Sequence, residues 1–474
     1  MVAAVTGVEP LLVGDILRST AARVPDNVAV WHGERSITFA EAERQADALA
    51  QALLACGVER GDRVVWIAAT CIDTFAVQFA CAFVGAIFTP LNPKSTESEL
   101  AYLLENSDPK VVMGDAGSGR TIVNEMLERR PATTLPLPEI DENDPQVMFY
   151  TSGTTGRPKG CLVSHRAQRL RTGPGAAWVE KPSVVMFPLF HMASWARILT
   201  WCLQGSAVVL IDKADAETIV REIDRHRSEV FRGIPAVWRR ICEFDRSGYD
   251  LSCLRHAETG TSKVTPDLVA DIREAFPQAD ISVAYGATES WLVCTMGPDD
   301  MERKPGAVGL PSPSVLLKQG DDGEILVKSP YLFSGYFRNE EATAAAFDKD
   351  GYFRTGDLAE IDEEGYYTIA GRAGDLIRSG GEWVSPQEVE AVLQGHPALA
   401  DAAVIGVPHA DWGQVVTAFV VPREGEIVTL ESVREFCKSS LAPHKHPRAL
   451  EIVANIPRTP TTGQVQRRKL ETAS

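Results

Sequence analysis

The chain has 474 residues, more than one hydrophobic core usually organises, so at least two domains are expected. Apolar residues make up 45% and charged residues 23%, the balance of a soluble globular protein, and a formal net charge of -17 tells against nucleic acid and anionic membrane as partners. Nine cysteines with no CxxC pair and no zinc spacing tell against a disulfide scaffold or structural zinc, and fit reduced, buried thiols such as Cys71 and Cys81 in a cytoplasmic protein.

Met1–Pro10 has neither a basic start nor an apolar core, so no signal peptide is expected. Thr38 and Glu41 form a capping box at the head of an amphipathic helix. Its apolar face is Phe39, Ala42, Ala46, Leu49, Leu53 and Cys56, and Gly57 ends it. A strand over Val64–Ala68, a helix around Ala76–Val84 and a strand around Ala86–Pro90 follow. Thr74–Leu91, broken by Gln78, Gly85 and Pro90, is therefore read as buried helix and strand with no membrane span. Val147–Tyr150, Ala207–Ile211 and Ile281–Ala284 read as further strands, and Ile325–Lys328 as an antiparallel strand after a turn at Asp321–Gly323. This alternation predicts an α/β fold with helices on the sheet faces.

The last hundred residues have their own rhythm. Ser385, Pro386 and Glu388 predict an N-cap, a first-turn proline and a capping box for a helix ending at Leu393 before Gly395. Strands near Ala402–Ile405 and Val415–Val421, a helix over Leu430–Leu441 and a strand near Leu450–Val453 complete an αββαβ unit. The expected organisation is a large multi-sheet N-terminal domain, 1–373, and a small mobile α+β domain, 374–474, hinged near Gly374.

Tyr150-Thr-Ser-Gly-Thr-Thr-Gly-Arg-Pro-Lys-Gly160 packs four aliphatic hydroxyls, three glycines and one lysine into eleven residues. Glycines let backbone N–H groups converge on an anion, hydroxyls add donors, and Lys159 adds positive charge. The chemistry implied is a cradle for nucleotide phosphates. It is not a Walker A loop, because Pro158 and Gly160 flank the lysine.

This loop resembles the signature of the adenylate-forming superfamily of acyl-CoA synthetases, nonribosomal peptide adenylation domains and luciferases. The resemblance runs over nearly the whole chain, with further motifs in the same order. It implies that Thr151, Ser152, Gly153, Thr154, Thr155, Gly156 and Lys159 hold the phosphates of ATP or AMP. Tyr285-Gly-Ala-Thr-Glu289 is similar to the second signature, which puts Tyr285 and Gly286 beside adenine, Thr288 at the α-phosphate and Glu289, with Thr154, on Mg2+. Glutamate is a hard oxygen ligand suited to that hard cation. Tyr352-Phe-Arg-Thr-Gly-Asp357 resembles the motif whose aspartate accepts from both ribose hydroxyls, and Arg372 the ribose-contacting arginine before the hinge.

Pro188-Leu-Phe-His-Met places His191 where the family has an aromatic or histidine gate at the acyl pocket, although a packed structural histidine reads equally well. Trp195, Trp238 and Trp291 are candidates for that pocket or for the core. Glu258-Thr-Gly-Thr-Ser262 stands where the family has a Gly/Ala-rich segment, so the pocket's shape differs. Ser379-Gly-Gly-Glu-Trp-Val-Ser-Pro386 resembles the loop lining the pantetheine channel of coenzyme A. Gly380 and Gly381 would leave room for a thin chain, and Trp383 would stack on the cofactor or pack beneath the loop.

Two departures stand out. Gln464 occupies the place of the family's C-terminal catalytic lysine, with one extra residue nearby and Lys469 five positions on. Gly374 stands where Asp or Lys is usual at the hinge. The resemblance implies a ligase joining a carboxylic acid to coenzyme A through an acyl adenylate. The missing lysine implies weak or absent adenylation with thioesterification of acyl-AMP retained, so the partners would be a carboxylic acid or acyl-adenylate and CoA, with a companion adenylating ligase as a candidate further partner. A complete ATP-dependent ligase, a carrier-protein loader and a non-catalytic nucleotide-binding subunit are the alternatives.

Overall fold

The computed structural model describes residues 10–114, 120–151, 157–172, 181–380, 382–409, 411–438, 440–459 and 464–471. Within them four sheets form, of nine, six, four and five strands. The six-stranded sheet is parallel through Arg63–Ile67, Ile87–Leu91, Val111–Gly114 and Pro145–Thr151, then turns antiparallel at Lys159–Ser164. In the nine-stranded sheet Val230–Gly233, His256–Gly260 and Asp280–Ala287 run parallel, and Trp291–Met296 returns antiparallel.

The helix Phe39–Ala55 shows how local sequence sets local structure. Thr38 Oγ1 accepts from Glu41 N and Glu41 Oε2 accepts from Thr38 N, closing the expected capping box. Such a cap contributes on the order of 1 kcal/mol. Phe39, Ala42, Ala46, Leu49 and Leu53 are all buried along one face. They join Phe79 from Asp73–Val84, Val64 from the six-stranded sheet, and Val30 and Leu210 from the nine-stranded sheet in one core. Cys71 and Cys81 are buried free thiols, as expected. Among the described residues no helix is long and apolar enough to cross a membrane, and Thr74–Leu91 divides into a buried helix and strand.

A small C-terminal domain follows. The chain leaves the four-stranded sheet at Tyr367–Arg372, makes a tight turn over Ala373–Asp375, and enters the five-stranded sheet at Ile377–Ser379. The αββαβ order is present as Pro386–Leu393, Leu399–His409, Gly413–Pro422, Leu430–Cys437 and Ala449–Ile452 around a core of its own. A preceding hairpin, Ile377–Ser379 with Glu382–Val384, was not legible in the sequence. One expectation is corrected: Ser385 caps no backbone N–H, so the capping box is absent. Its hydroxyl donates to Gln387 Oε1, and the Glu388 carboxylate is held by Lys445 at 2.6 Å. A charge-assisted partner outcompetes a neutral backbone donor.

Candidate functional site

Strand direction decides where the site lies. Val230–Gly233, His256–Gly260 and Asp280–Ala287, with the parallel strand Ser183–Val185, all finish at the same edge. The residues at their carboxyl ends, among them Val185, Gly233, Gly260 and Gly286, line a cleft of about 1190 Å³. A crevice outside the carboxyl ends of parallel strands is the usual ligand position in α/β sheets. At Gly260 and Gly286 a Cβ would overlap Ala284 O and Trp291 O respectively, so only glycine lets adjacent chain pass there.

Thr151 and Lys159 are register partners at the mouth of the hairpin that carries the hydroxyl-rich loop, and both line the cleft. Ser152, Gly153, Thr154, Thr155 and Gly156 lie outside the described residues, as does Gly381. Thr288 and Glu289 reach the wall in the turn between Asp280–Ala287 and Trp291–Met296. Glu289 Oε1 accepts from Thr151 Oγ1 at 3.0 Å and from Tyr336 OH at 3.1 Å. Both bonds fall on one oxygen, so the carboxylate keeps acceptor capacity for a cation. Lys159 Nζ lies 4.7 Å over the Tyr336 ring, so Tyr336 touches both the lysine and the Glu289 carboxylate. Among the described residues no three His, Cys, Asp or Glu side chains cluster as a ready metal cage. One carboxylate beside a phosphate loop fits magnesium, which keeps most of its own water.

Asp357 and Tyr285 stand one bond behind the wall. Asp357 Oδ1 accepts from Arg372 Nε at 2.9 Å and Oδ2 from Tyr285 OH at 2.7 Å, and only Arg372 lines the cleft. The Asp357 carboxylate raises the Arg372 pKa, while burial first and then Asp357 push the Tyr285 phenol well up.

His191 lines the cleft as the N-cap of Met192–Gln204, its Nδ1 accepting from Ala193 N at 3.2 Å. Its ring stacks on Phe187 with centroids 5.6 Å apart, and burial lowers its pKa to about 4. Trp291 lines the cleft. Trp195 and Trp238 belong to the core instead, each fully buried with its indole N–H on a backbone carbonyl, of Leu189 and Glu258. Gln464 reaches the wall from the C-terminal domain, as does Lys469. Gly380 and Trp383 do not. Gly380 has φ 61 with the Trp412 ring packed over it, and Trp383 is 57% exposed with Arg378 near its face.

The sequence reading missed Tyr336, Arg171 and Arg197. Arg171 is buried and donates to Thr288 O at 3.1 Å and twice to Tyr331 O, bracing the turn that carries Thr288 and Glu289. For Arg197 a signal existed, as the lone charge in the helical sequence MASWARILTWCLQ.

A two-domain α/β chain whose parallel strands end at one cleft, with Thr151, Lys159, Thr288, Glu289 and Arg372 on its wall, has the build of an adenylate-handling enzyme. The AMP-binding enzyme family model matches residues 17–337 and that of the AMP-binding enzyme C-terminal domain residues 388–462, and the chain belongs to this family. A long-chain-fatty-acid–CoA ligase of Thermus thermophilus is 32% identical over 91% of this chain and 89% of that protein. A feruloyl-CoA synthase of an Amycolatopsis species is also 32% identical, over 94% and 96%. The o-succinylbenzoate CoA synthetase of Bacillus subtilis, solved with its acyl-adenylate intermediate, superposes with a TM-score of 0.87 at 26% identity, covering 96% of this chain and 97% of that one. The same synthetase has been solved with ATP and magnesium. These likenesses make the chain an AMP-forming acyl-CoA synthetase by type.

Proposed function

We propose that this enzyme forms an acyl-CoA thioester from an acyl adenylate and coenzyme A, and that its own adenylation of free acid by ATP is slow. The observation that carries this reading is Gln464, a neutral side chain on the cleft wall, its Nε2 donating to Thr261 O at 3.4 Å. In adenylation a carboxylate attacks the α-phosphate, and two anions must approach. A cation between them lowers the barrier, and an amide supplies no charge. Loss of one such stabilising group costs about 3 kcal/mol, roughly a hundredfold in rate. Thioester formation has no such requirement: the thiol attacks the acyl carbonyl, the bond to AMP breaks, and AMP leaves.

In this reading Thr151, Lys159 and the hydroxyl-rich loop hold phosphates, Thr288 meets the α-phosphate, and Asp357 with Arg372 fixes the ribose. Glu289, braced by Thr151 and Tyr336, would hold magnesium, which would neutralise phosphate charge when ATP is bound. His191 and Trp291 border the acyl group. The boundary is placed at Gly374, where rotation would carry Gly380 and Trp383 to the thiol. A companion ligase would supply the adenylate. The reading is tested by offering synthetic acyl adenylates with CoA or with a holo carrier protein and detecting products by mass. CoA thioesters are expected, and exclusive loading of the carrier protein counts against it.

A second reading, a complete ATP-dependent ligase, is favoured by Lys469, which lines the same cleft. Lys469→Gln separates the two. It abolishes adenylation if Lys469 supplies the charge and leaves a slow rate unchanged if it does not.

A further inference from the structure

The roles above leave unused a charged stretch of the cleft wall formed by Arg197, Arg232 and Glu258. Arg197 lies one helical turn beyond Ala193 on Met192–Gln204, and both line the cleft. Its side chain is almost wholly enclosed, at 4% exposure. Nη1 donates to Ser183 Oγ at 3.1 Å, and the guanidinium lies 4.6 Å from the Trp201 ring centre. Nη2 is buried and has no hydrogen-bond partner among the described residues.

Arg232 and Glu258 stand opposite each other on the parallel strands Val230–Gly233 and His256–Gly260, and both line the same cleft. Their Nε and Oε1 atoms are 2.8 Å apart, so this pair largely cancels its own charge. What remains is the charge of Arg197. Burial first, then Arg232, lowers its pKa well below the guanidinium range, and Glu258 offsets this only in part. A buried cation with an unsatisfied donor is costly unless an anion joins it. A hydrocarbon tail in the cleft would leave that donor unpaired. A tail ending in a carboxylate would pair it, and arginine's planar fork suits that group. Val184, Val185, Met186 and Phe187 on the same wall suit an apolar spacer.

We propose that Arg197, flanked by the Arg232–Glu258 pair, forms an anion subsite, and that the acyl substrate is a dicarboxylic acid activated at one carboxyl group and held at the other. This rests on the acyl-CoA reading above.

The test uses α,ω-dicarboxylic acids of four to twelve carbons and the matching monocarboxylic acids. Each is supplied with ATP and CoA, and again as its mono-adenylate with CoA. The same free acids are scored for thermal stabilisation of the enzyme. At least one dicarboxyl member should exceed its monocarboxyl match about a hundredfold in kcat/KM. Arg197→Met should erase that preference, and Arg197→Lys should restore part of it. Preference for the monocarboxyl member throughout, in the wild-type enzyme alone, overturns the proposal, so it does not depend on the variants folding. A preference unchanged in a folded Arg197→Met enzyme also overturns it. Stabilisation by dicarboxylates, lost in Arg197→Met, without thioester from either series would support the subsite and count against the acyl-CoA reading. Neither stabilisation nor turnover by any dicarboxylate overturns the subsite itself.

Discussion

Gln464 Nε2 donates to Thr261 O at 3.4 Å, joining the last segment of the chain to the residue that follows the strand His256–Gly260. The position is fixed by backbone as well, since Thr459 N donates to Gln464 O at 2.8 Å and Gln464 N to Thr459 Oγ1 at 3.0 Å. A longer, charged side chain placed here would project from a backbone position already held by these two hydrogen bonds. Gln464→Lys is therefore expected to raise pyrophosphate release from acid and ATP by about a hundredfold. Thioester formation from acyl adenylate should change little. Stopped-time assays of both half-reactions check the pair of outcomes.

Glu289 is held on one oxygen by Thr151 and Tyr336, so its orientation is fixed. Glu289→Gln keeps the shape and removes the charge. It should weaken magnesium-dependent ATP binding at least about tenfold while metal-free AMP binding changes by less than about threefold. Titration calorimetry with and without magnesium reads the difference. Equal losses in both arms would remove Glu289 from the metal.

Asp357 bridges Arg372 and Tyr285, which fixes its carboxylate before any ligand arrives. Asp357→Asn should weaken AMP binding by about 1.5–3 kcal/mol, the range for a hydrogen bond to a charged group. If the ribose diol is what Asp357 reads, 2′,3′-dideoxy-AMP should bind the wild-type and Asp357→Asn enzymes alike. A variant that loses affinity equally for both nucleotides would assign Asp357 a purely structural role.

His165 and His191 each accept a backbone N–H and must be neutral to do so. His165 Nδ1 accepts from Val13 N, and His191 Nδ1 from Ala193 N. Burial lowers both pKa values to about 4. The unfolded chain takes up these protons near pH 6.5 and the folded chain only near pH 4, so stability falls as pH drops through that interval. For fully buried His165 the loss amounts to about 3 kcal/mol. His191→Asn keeps a capping acceptor and cannot titrate. Urea unfolding midpoints between pH 7.5 and 4.5 should decline less steeply in that variant.

What the sequence disclosed follows from how far apart the interacting residues are. The helix Phe39–Ala55 was legible to its cap because Thr38 and Glu41 lie within one turn of each other. The same signature failed at Ser385, where the Glu388 carboxylate is taken by Lys445, 57 residues beyond that glutamate. Thr151, Lys159, Thr288, Glu289 and Arg372 were found through contiguous motifs, and the fold brings all five to one cleft. Tyr336 and Arg171 carry no such local mark, because their bonds span 47 residues to Glu289 and 160 to Tyr331. Trp195, Trp238 and Trp291 were indistinguishable by type. The packing that buries two of them and leaves the third on the cleft is set by strands far apart in the chain.

The central claim is that this enzyme handles an acyl adenylate far better than it makes one. The decisive measurement compares thioester formation from synthetic acyl-AMP and CoA with pyrophosphate release from the same acid and ATP, on one enzyme preparation. The account predicts the first to be faster by about a hundredfold or more. Pyrophosphate release as fast as thioester formation would contradict it.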